Sequence, residues 1–382
     1  MNVGFNISPK PNQKIALIDA DLMDGGTRHP NLALLKMSGW AKAQGHSVRM
    51  LCSYDELEPD LFRRGADEFD AIAVSQVFSF TKRPSILNAL IDSGKVMCGG
   101  TGFFEVGGPR LPEEVEHHMP DYHLYDEYIN LHPDGHWDDY TKASIGFTTR
   151  GCFRKCPFCV NREYDRVYRH AKVEEFFDPS RPRIYLWDDN FMASGERIFN
   201  DVMDELEATH KRFQFRQGLD IRLMTRKKAE RLAAAKYYGD YIFAFDHVDE
   251  PTVKATLRGL NTWREYSTKN TKVYVLVGFD SQDERDIFSM FRRIELLMSY
   301  NCIPYIMRHE LYRKSPWRKL YTLVARWCNQ QALFKKKSFT EYLAMPGNEK
   351  VRFIADDFAK LFPQKTDYYY NMKLRSQYDM AL

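Results

Sequence analysis

The chain has 382 residues, of which 44% are hydrophobic, 14% aromatic and 28% charged, with a formal net charge of +3. That is material for two or three domains with sizeable cores, and the near-neutral balance excludes a global pull towards nucleic acid. Met1–Lys14 is polar, with no apolar signal-peptide core, and no apolar run approaches the ~20 residues that span a bilayer. The expectation is a cytoplasmic protein without membrane association, whose thiols stay reduced.

Strands and helices alternate over the first ~120 residues. Strands are predicted at 14–19, 48–51, 70–77 and 95–98, with a helix over 31–44 and a glycine-rich turn, Gly99-Gly100-Thr101-Gly102, after the fourth strand. Such alternation implies a parallel sheet covered on both faces, an open α/β, Rossmann-like domain over 1–120. Residues 121–142 carry prolines, histidines and tyrosines with little periodicity and read as a linker. A second series starts at Ala143. Its strands are predicted at 144–148, 183–187, 213–218, 241–245, 272–277 and 303–307, with helices at 194–209, 226–235, 251–257 and 283–300. Six strand–helix units are too few for a closed eight-stranded barrel and suit a partial (β/α)6 barrel over 143–310, with its site at the C-terminal strand ends. Residues 311–382 read as a helical, basic and aromatic extension.

Three of the seven cysteines fall within eight residues, Cys152-Phe-Arg-Lys-Cys156-Pro-Phe-Cys159, just after the first strand of this second series. The other four, Cys52, Cys98, Cys302 and Cys328, are scattered and read as small buried hydrophobes. Thiolates are the preferred ligands of iron–sulfur clusters. One tight loop with these spacings can wrap three corners of a cubane and leave the fourth iron open, as a reactive site requires. The competing metal is structural zinc, which wants four ligands; a second cysteine pair is absent and the nearest histidine is His170.

The motif Cys-x3-Cys-x2-Cys with Phe158 before its last cysteine, placed at the first strand–helix junction of a partial barrel, resembles the radical S-adenosylmethionine (SAM) superfamily. The resemblance runs from Ala143 to Arg308. It implies a 4Fe-4S cluster on Cys152, Cys156 and Cys159, with SAM chelating the open iron and Phe158 near its adenine. It implies reductive cleavage of SAM to a 5′-deoxyadenosyl radical, and an electron donor such as flavodoxin or ferredoxin. Tyr185-Leu-Trp-Asp-Asp-Asn-Phe191 is similar to the acidic strand ending of cobalamin-type and methylthiotransferase-like (elongator-like) members. By that likeness Asp189 or Asn190 accepts a hydrogen bond from the SAM amino group; the alternative is a helix N-cap cluster before Ser194. Polar residues at successive strand ends, Gln217, Asp220, Asp246 and Arg308, and Gly278, which permits close approach of a flat ligand, are further SAM contacts by position. Each of the four polar residues reads equally well as an ordinary loop or cap residue.

A Rossmann-like domain ahead of such a barrel resembles the cobalamin-binding subfamily, and a cobalamin-dependent methyltransferase is the alternative enzyme. The Asp-x-His-x-x-Gly loop that supplies cobalt's histidine in that subfamily is missing. His29 stands in a different pattern, which argues against cobalamin without closing the case. The methylthiotransferase arrangement fails too, since its front domain supplies a second cysteine set. Residues 308–337 hold nine Lys or Arg against Glu310 alone, interleaved with Tyr312, Trp317, Tyr321, Trp327 and Phe334. This could hold RNA phosphates and stack bases, which would suit a non-catalytic metal-containing nucleic-acid-binding module. The spacing of Trp317, Tyr321 and Val324 favours instead an amphipathic helix capping the barrel.

Overall fold

The computed structural model describes residues 2, 3, 5, 12–104, 108–268 and 270–374. The chain forms two compact units, Met1–Asp189 with Asn200–Phe213, and Asn190–Phe199 with Gln214–Leu382. Both are α/β structures built on parallel sheets.

In the first unit, β1 (Asn2–Val3), β2 (Lys14–Asp19), β3 (Ser47–Met50), β4 (Ala71–Ser75) and β5 (Val96–Gly99) make a sheet in the order β1-β5-β4-β2-β3. Every pairing is parallel. The apolar run of β2 suits its interior place between β4 and β3, because a strand covered on both faces has no polar side to show. Ile15 and Leu17 join one core cluster with Leu34 and Met37 of the Leu32–Ala43 helix. Ala16 and Ile18 join another with Leu87 and Ile91 of the Ser85–Asp92 helix. Asn31 starts the first of these helices by accepting a hydrogen bond from the Leu34 amide (3.3 Å). The glycine turn after β5 has a packing reason: a Cβ on Gly100 would lie 2.2 Å from the Gln76 carbonyl oxygen.

Residues 121–142, expected as a linker, form two short helices, Asp126–Leu131 and Asp138–Lys142. Their segment sends Tyr122, Tyr125, Tyr128 and Tyr140 into the first core cluster. Buried tyrosines need partners for their hydroxyls, and Tyr122, Tyr125 and Tyr140 have them. Tyr125 donates to Asp19 at the end of β2 (2.8 Å) and accepts from the Asn31 amide (3.0 Å). Tyr122 accepts from the Ile145 amide (2.8 Å) and donates to the Phe176 carbonyl (2.6 Å). Buried Arg181 donates to the carbonyls of Tyr140, Ala143 and Tyr122. The segment is thus a packed seam rather than a tether.

Asp19 is 1% exposed, and burial pushes its carboxyl from 3.8 up to about 6, against the hydrogen bond from Tyr125. A pKa raised on folding means that the folded state binds the proton more tightly. The resulting stabilisation is complete below the unfolded value of 3.8 and is lost as pH rises through about 6. Asp19→Asn, which cannot ionise, should therefore gain about 3 kcal/mol relative to the parent between pH 3.5 and pH 7.5. Urea titrations of both proteins at the two pH values read this difference directly.

After the seam come β6 (Ala143–Gly146), β7 (Thr149–Arg150), β8 (Tyr168–Arg169), β9 (Arg183–Leu186) and β10 (Arg212–Phe215). β6 and β9 pair in parallel, β10 lies beside β9, and β7 and β8 form a short antiparallel ladder. In the second unit β11 (Tyr241–Ala244), β12 (Thr271–Val277) and β13 (Ile303–Arg308) form a parallel sheet. Leu219 makes a parallel bridge to Phe243 of β11. All six strands expected of the second series are present, within one to three residues of their predicted ends.

One face of this second sheet is buried. Phe243, Val273, Val275 and Val277 lie there, and the flanking helices Glu250–Tyr266 and Glu284–Ser299 bury Trp263, Met290, Phe291 and Ile294. The free edge of β13 is closed by the Arg318–Asn329 helix. The Asn329 side-chain amide accepts from the Ile306 N–H (2.7 Å) and donates to its carbonyl (3.2 Å), as a neighbouring strand would. That helix buries Leu320, Tyr321, Val324 and Trp327, and Phe334 follows them inside. Arg318, Lys319 and Arg326 remain on its exposed side. The extension, described to residue 374, matches the amphipathic expectation, and three of its five interleaved aromatics are not available to stack on bases. No helix among the described residues is long and apolar enough to cross a membrane.

Candidate functional site

The three cysteines lie on the loop that follows β7, and each is half-buried. Local backbone chemistry shapes this loop. Gly151 has φ +94°, and a Cβ there would sit 2.3 Å from the Arg166 carbonyl oxygen, so only glycine can open the turn. Lys155 adopts the left-handed region at φ 52°, and the Cys159 amide donates to the Cys156 carbonyl (2.9 Å). Amides also point at sulfur. Arg154 N–H donates to Cys152 Sγ and Asn161 N–H to Cys159 Sγ, both at 3.4 Å. Such N–H donors stabilise thiolate charge and tune a bound cluster.

Two consecutive acids after β9 brace the loop. Asp188, only 3% exposed, accepts from the amides and hydroxyls of both Thr148 and Thr149, the hydroxyl bonds being 2.6 Å each. Burial pushes its carboxyl above the usual range, against the pull of these four donors. Asp189 takes the Gly151 amide on one oxygen (2.7 Å) and the Asn161 side-chain amide on the other (2.8 Å). Arg150 adds an ion pair at 3.5 Å while its guanidinium lies 4.1 Å from the centre of the Phe147 ring. The strand end singled out in the sequence is therefore next to the cysteine loop, with Asp189 committed to the loop itself. Asp188, Asn161 and Arg150 were not foreseen. The signal for Asp188 was present in the paired threonines ahead of the first cysteine.

Phe158 is half-buried on the same loop. The remaining sequence candidates belong to the second unit. Asn190 is buried and precedes the Phe191–Ala193 turn without capping it through its side chain. Gln217 is exposed. Asp220 caps the Ile221–Leu223 turn and pairs with Arg222 (2.6 Å), the ordinary cap role. Asp246 accepts from the Leu276 amide (3.1 Å), and burial raises its pKa against the nearby Arg293 charge. Arg293, itself 1% exposed, donates to the carbonyls of Asp246 (2.9 Å) and Leu276 (2.7 Å), so this cluster fastens the ends of β11 and β12. Gly278, at φ +75°, lies under Tyr312, whose Cβ would be 2.5 Å from any Cβ placed there. Its amide donates to Asp286 (2.7 Å), which also accepts from Tyr321 (2.7 Å). Packing of the extension, rather than a ligand, accounts for this glycine. Arg308 turns towards the C-terminal helix, donating to Thr322 (2.8 Å) and lying over the Tyr312 ring.

The donor set fits a cubane: three thiols on one loop, two with amide partners and a braced strand end beside them. Among the described residues no three His, Cys, Asp or Glu side chains are grouped to hold a single metal ion. A cubane gives each cysteine its own iron and asks for no such convergence. The other cysteines are poor ligands. Burial raises the pKa of Cys98, Cys302 and Cys328, and pushes Cys52 up to about 11. In the α/β domain His29 pairs with Asp139 (2.7 Å).

No protein-family model matches the chain, and no curated protein is similar to it in sequence. Among solved structures it is similar to the radical S-adenosylmethionine methyltransferase TsrM from Kitasatospora setae, with cobalamin and a 4Fe-4S cluster bound. The identity is 14%, the TM-score 0.49, and the match covers 78% of this chain and 72% of that one. It is also similar to OxsB, a cobalamin-dependent S-adenosylmethionine radical enzyme with aqua-cobalamin and S-adenosylmethionine bound. There the identity is 13%, the TM-score 0.36, and coverage is 93% of this chain and 56% of that one.

Proposed function

We propose that the protein is a radical SAM enzyme in which Cys152, Cys156 and Cys159 hold a 4Fe-4S cluster. The observation that carries this reading is the cysteine loop itself. Its turn is fixed by Gly151, two of its sulfurs receive amide N–H groups, and its flanks are pinned by Asp188 and Asp189. When bound, such a cluster supplies one electron to SAM at its open iron, and the organic chemistry belongs to the cofactor. The chain's own residues orient and exclude water. Asp189 and Asn161 keep the loop in register with the end of β9, and Phe158 offers a flat apolar surface for adenine.

Anaerobic reconstitution with iron and sulfide tests the reading. About four irons and four sulfides per chain are expected, with the absorbance and low-spin EPR signal of a reducible cubane. One tightly held zinc per chain and no sulfide would overturn it.

A further inference from the structure

In the second unit, a cleft of about 420 Å³ opens between the end of β13 and the Arg318–Asn329 helix, lined by Arg308, Thr322, Ala325, Arg326, Asn329 and Gln330. Thr322, Ala325, Arg326 and Asn329 are spaced to share one face of the helix. Arg308 reaches that face from the strand and is held there, donating to the Thr322 hydroxyl (2.8 Å). Its other partner is Tyr312, through the hydroxyl (3.3 Å) and the ring. Asn329 is spent on the Ile306 backbone and so fixes the wall of the cleft. Exposed arginines elsewhere in this unit take a nearby carboxylate: Arg285 pairs with Asp283, Arg292 with Glu295 and Arg352 with Asp356. Arg308 and Arg326, both exposed, make no such pair among the described residues, and no acid lines the cleft.

We propose that this cleft binds a single phosphate group carried by a small molecule. Two guanidiniums present forks of N–H donors that match the oxygens of an oxyanion, and an anion between them relieves their mutual repulsion. The carbonyl end of the helix works against an anion here, but it carries about half an elementary charge against two full ones. The volume is that of a small-ligand site and exceeds what one phosphate needs. Ala325 and the Gln330 amide are left to meet an organic remainder. A nucleic-acid backbone asks for cations repeated along a track, whereas these two are gathered at one point.

Calorimetric titration of the reconstituted full-length protein at low salt tests the proposal, with ribose 5-phosphate, ribose, inorganic phosphate and an oligouridylate as probes. None of them carries the adenine that a SAM site would read, so the outcome is independent of the radical SAM reading. Ribose 5-phosphate should bind saturably, one per chain, and ribose should not bind. Arg326→Gln and Arg308→Gln should each weaken the ester about tenfold or more. Arg318→Gln, on the same helix but outside the cleft, should change it by less than about twofold. Inorganic phosphate bound as tightly as the ester, and lost in the same two variants, would support the site and assign it to free phosphate; weaker inorganic phosphate assigns it to an ester. No saturation by about 10 mM overturns the proposal. So does an equal loss in Arg318→Gln, which would mark a diffuse basic surface, or binding of the oligouridylate without binding of ribose 5-phosphate.

Discussion

Cys156→Ala is expected to leave a folded protein that no longer holds a complete cubane and no longer cleaves SAM. The cysteine is half-buried on a loop whose shape is set by Gly151, Lys155 and the Cys159 amide, none of which needs the thiol. The cost to the fold should therefore be small, within about 1 kcal/mol, as for a partly exposed loop residue. Loss of one of three ligands acts on the metal instead. Iron after reconstitution should drop to three per chain or fewer, and dithionite-driven cleavage by at least about 100-fold. The contrast is Cys328→Ala: that thiol is fully buried in the Arg318–Asn329 helix. It should cost about 1–2 kcal/mol of stability and leave the iron content unchanged.

Asp188→Ala should have the largest effect on stability. The carboxylate is buried and receives four hydrogen bonds from Thr148 and Thr149 at the entry to the cysteine loop. Its removal strands two buried amides and two hydroxyls, for a loss of about 3–5 kcal/mol. Because those groups lead directly into Gly151, the folded fraction should also load less iron. Asp188→Asn keeps an acceptor and the side-chain volume, and should recover both stability and iron loading in part. Urea unfolding and iron content, measured on the same preparations, separate the two effects; equal iron per folded chain in all three proteins would show that Asp188 does not position the loop.

Much of this arrangement is legible in the sequence, for identifiable reasons. Ile15 to Ile18 read as a buried strand because both faces are apolar, and the structure places alternate residues in two different clusters. The Leu32–Ala43 helix shows its boundaries through Asn31. The cysteine loop is visible because three cysteines fall within eight residues directly after a strand while the other four are scattered. The 121–142 seam is not, since helices of five and six residues are too short for periodicity to register. Its tyrosines act as core through hydroxyl bonds to Asp19 and to the backbone around β6, which are long-range facts.

The strand-end residues show a second limit. Position along the chain identifies Asp220, Asp246, Gly278 and Arg308, but not what each side chain meets. Arg308 shares the strand face of Ile306 and is drawn to Thr322 by the helix that closes the β13 edge. Gly278 answers to Tyr312 in the extension, more than 30 residues on. Asp246 is one partner in a buried cluster with Arg293. Asp189, expected from its position to meet the SAM amino group, instead holds the Gly151 amide and the Asn161 side chain, while its neighbour Asp188 takes four hydrogen bonds from Thr148 and Thr149.

A cluster held by Cys152, Cys156 and Cys159 leaves its fourth iron open, and that iron is expected to direct SAM to reductive cleavage. Anaerobic incubation of the reconstituted protein with SAM and dithionite, followed by chromatography of the small molecules, tests it most directly. The parent should form 5′-deoxyadenosine and methionine in equal amounts, and Cys156→Ala should form neither. Intact SAM after exposure of a fully loaded 4Fe-4S protein to dithionite would contradict it.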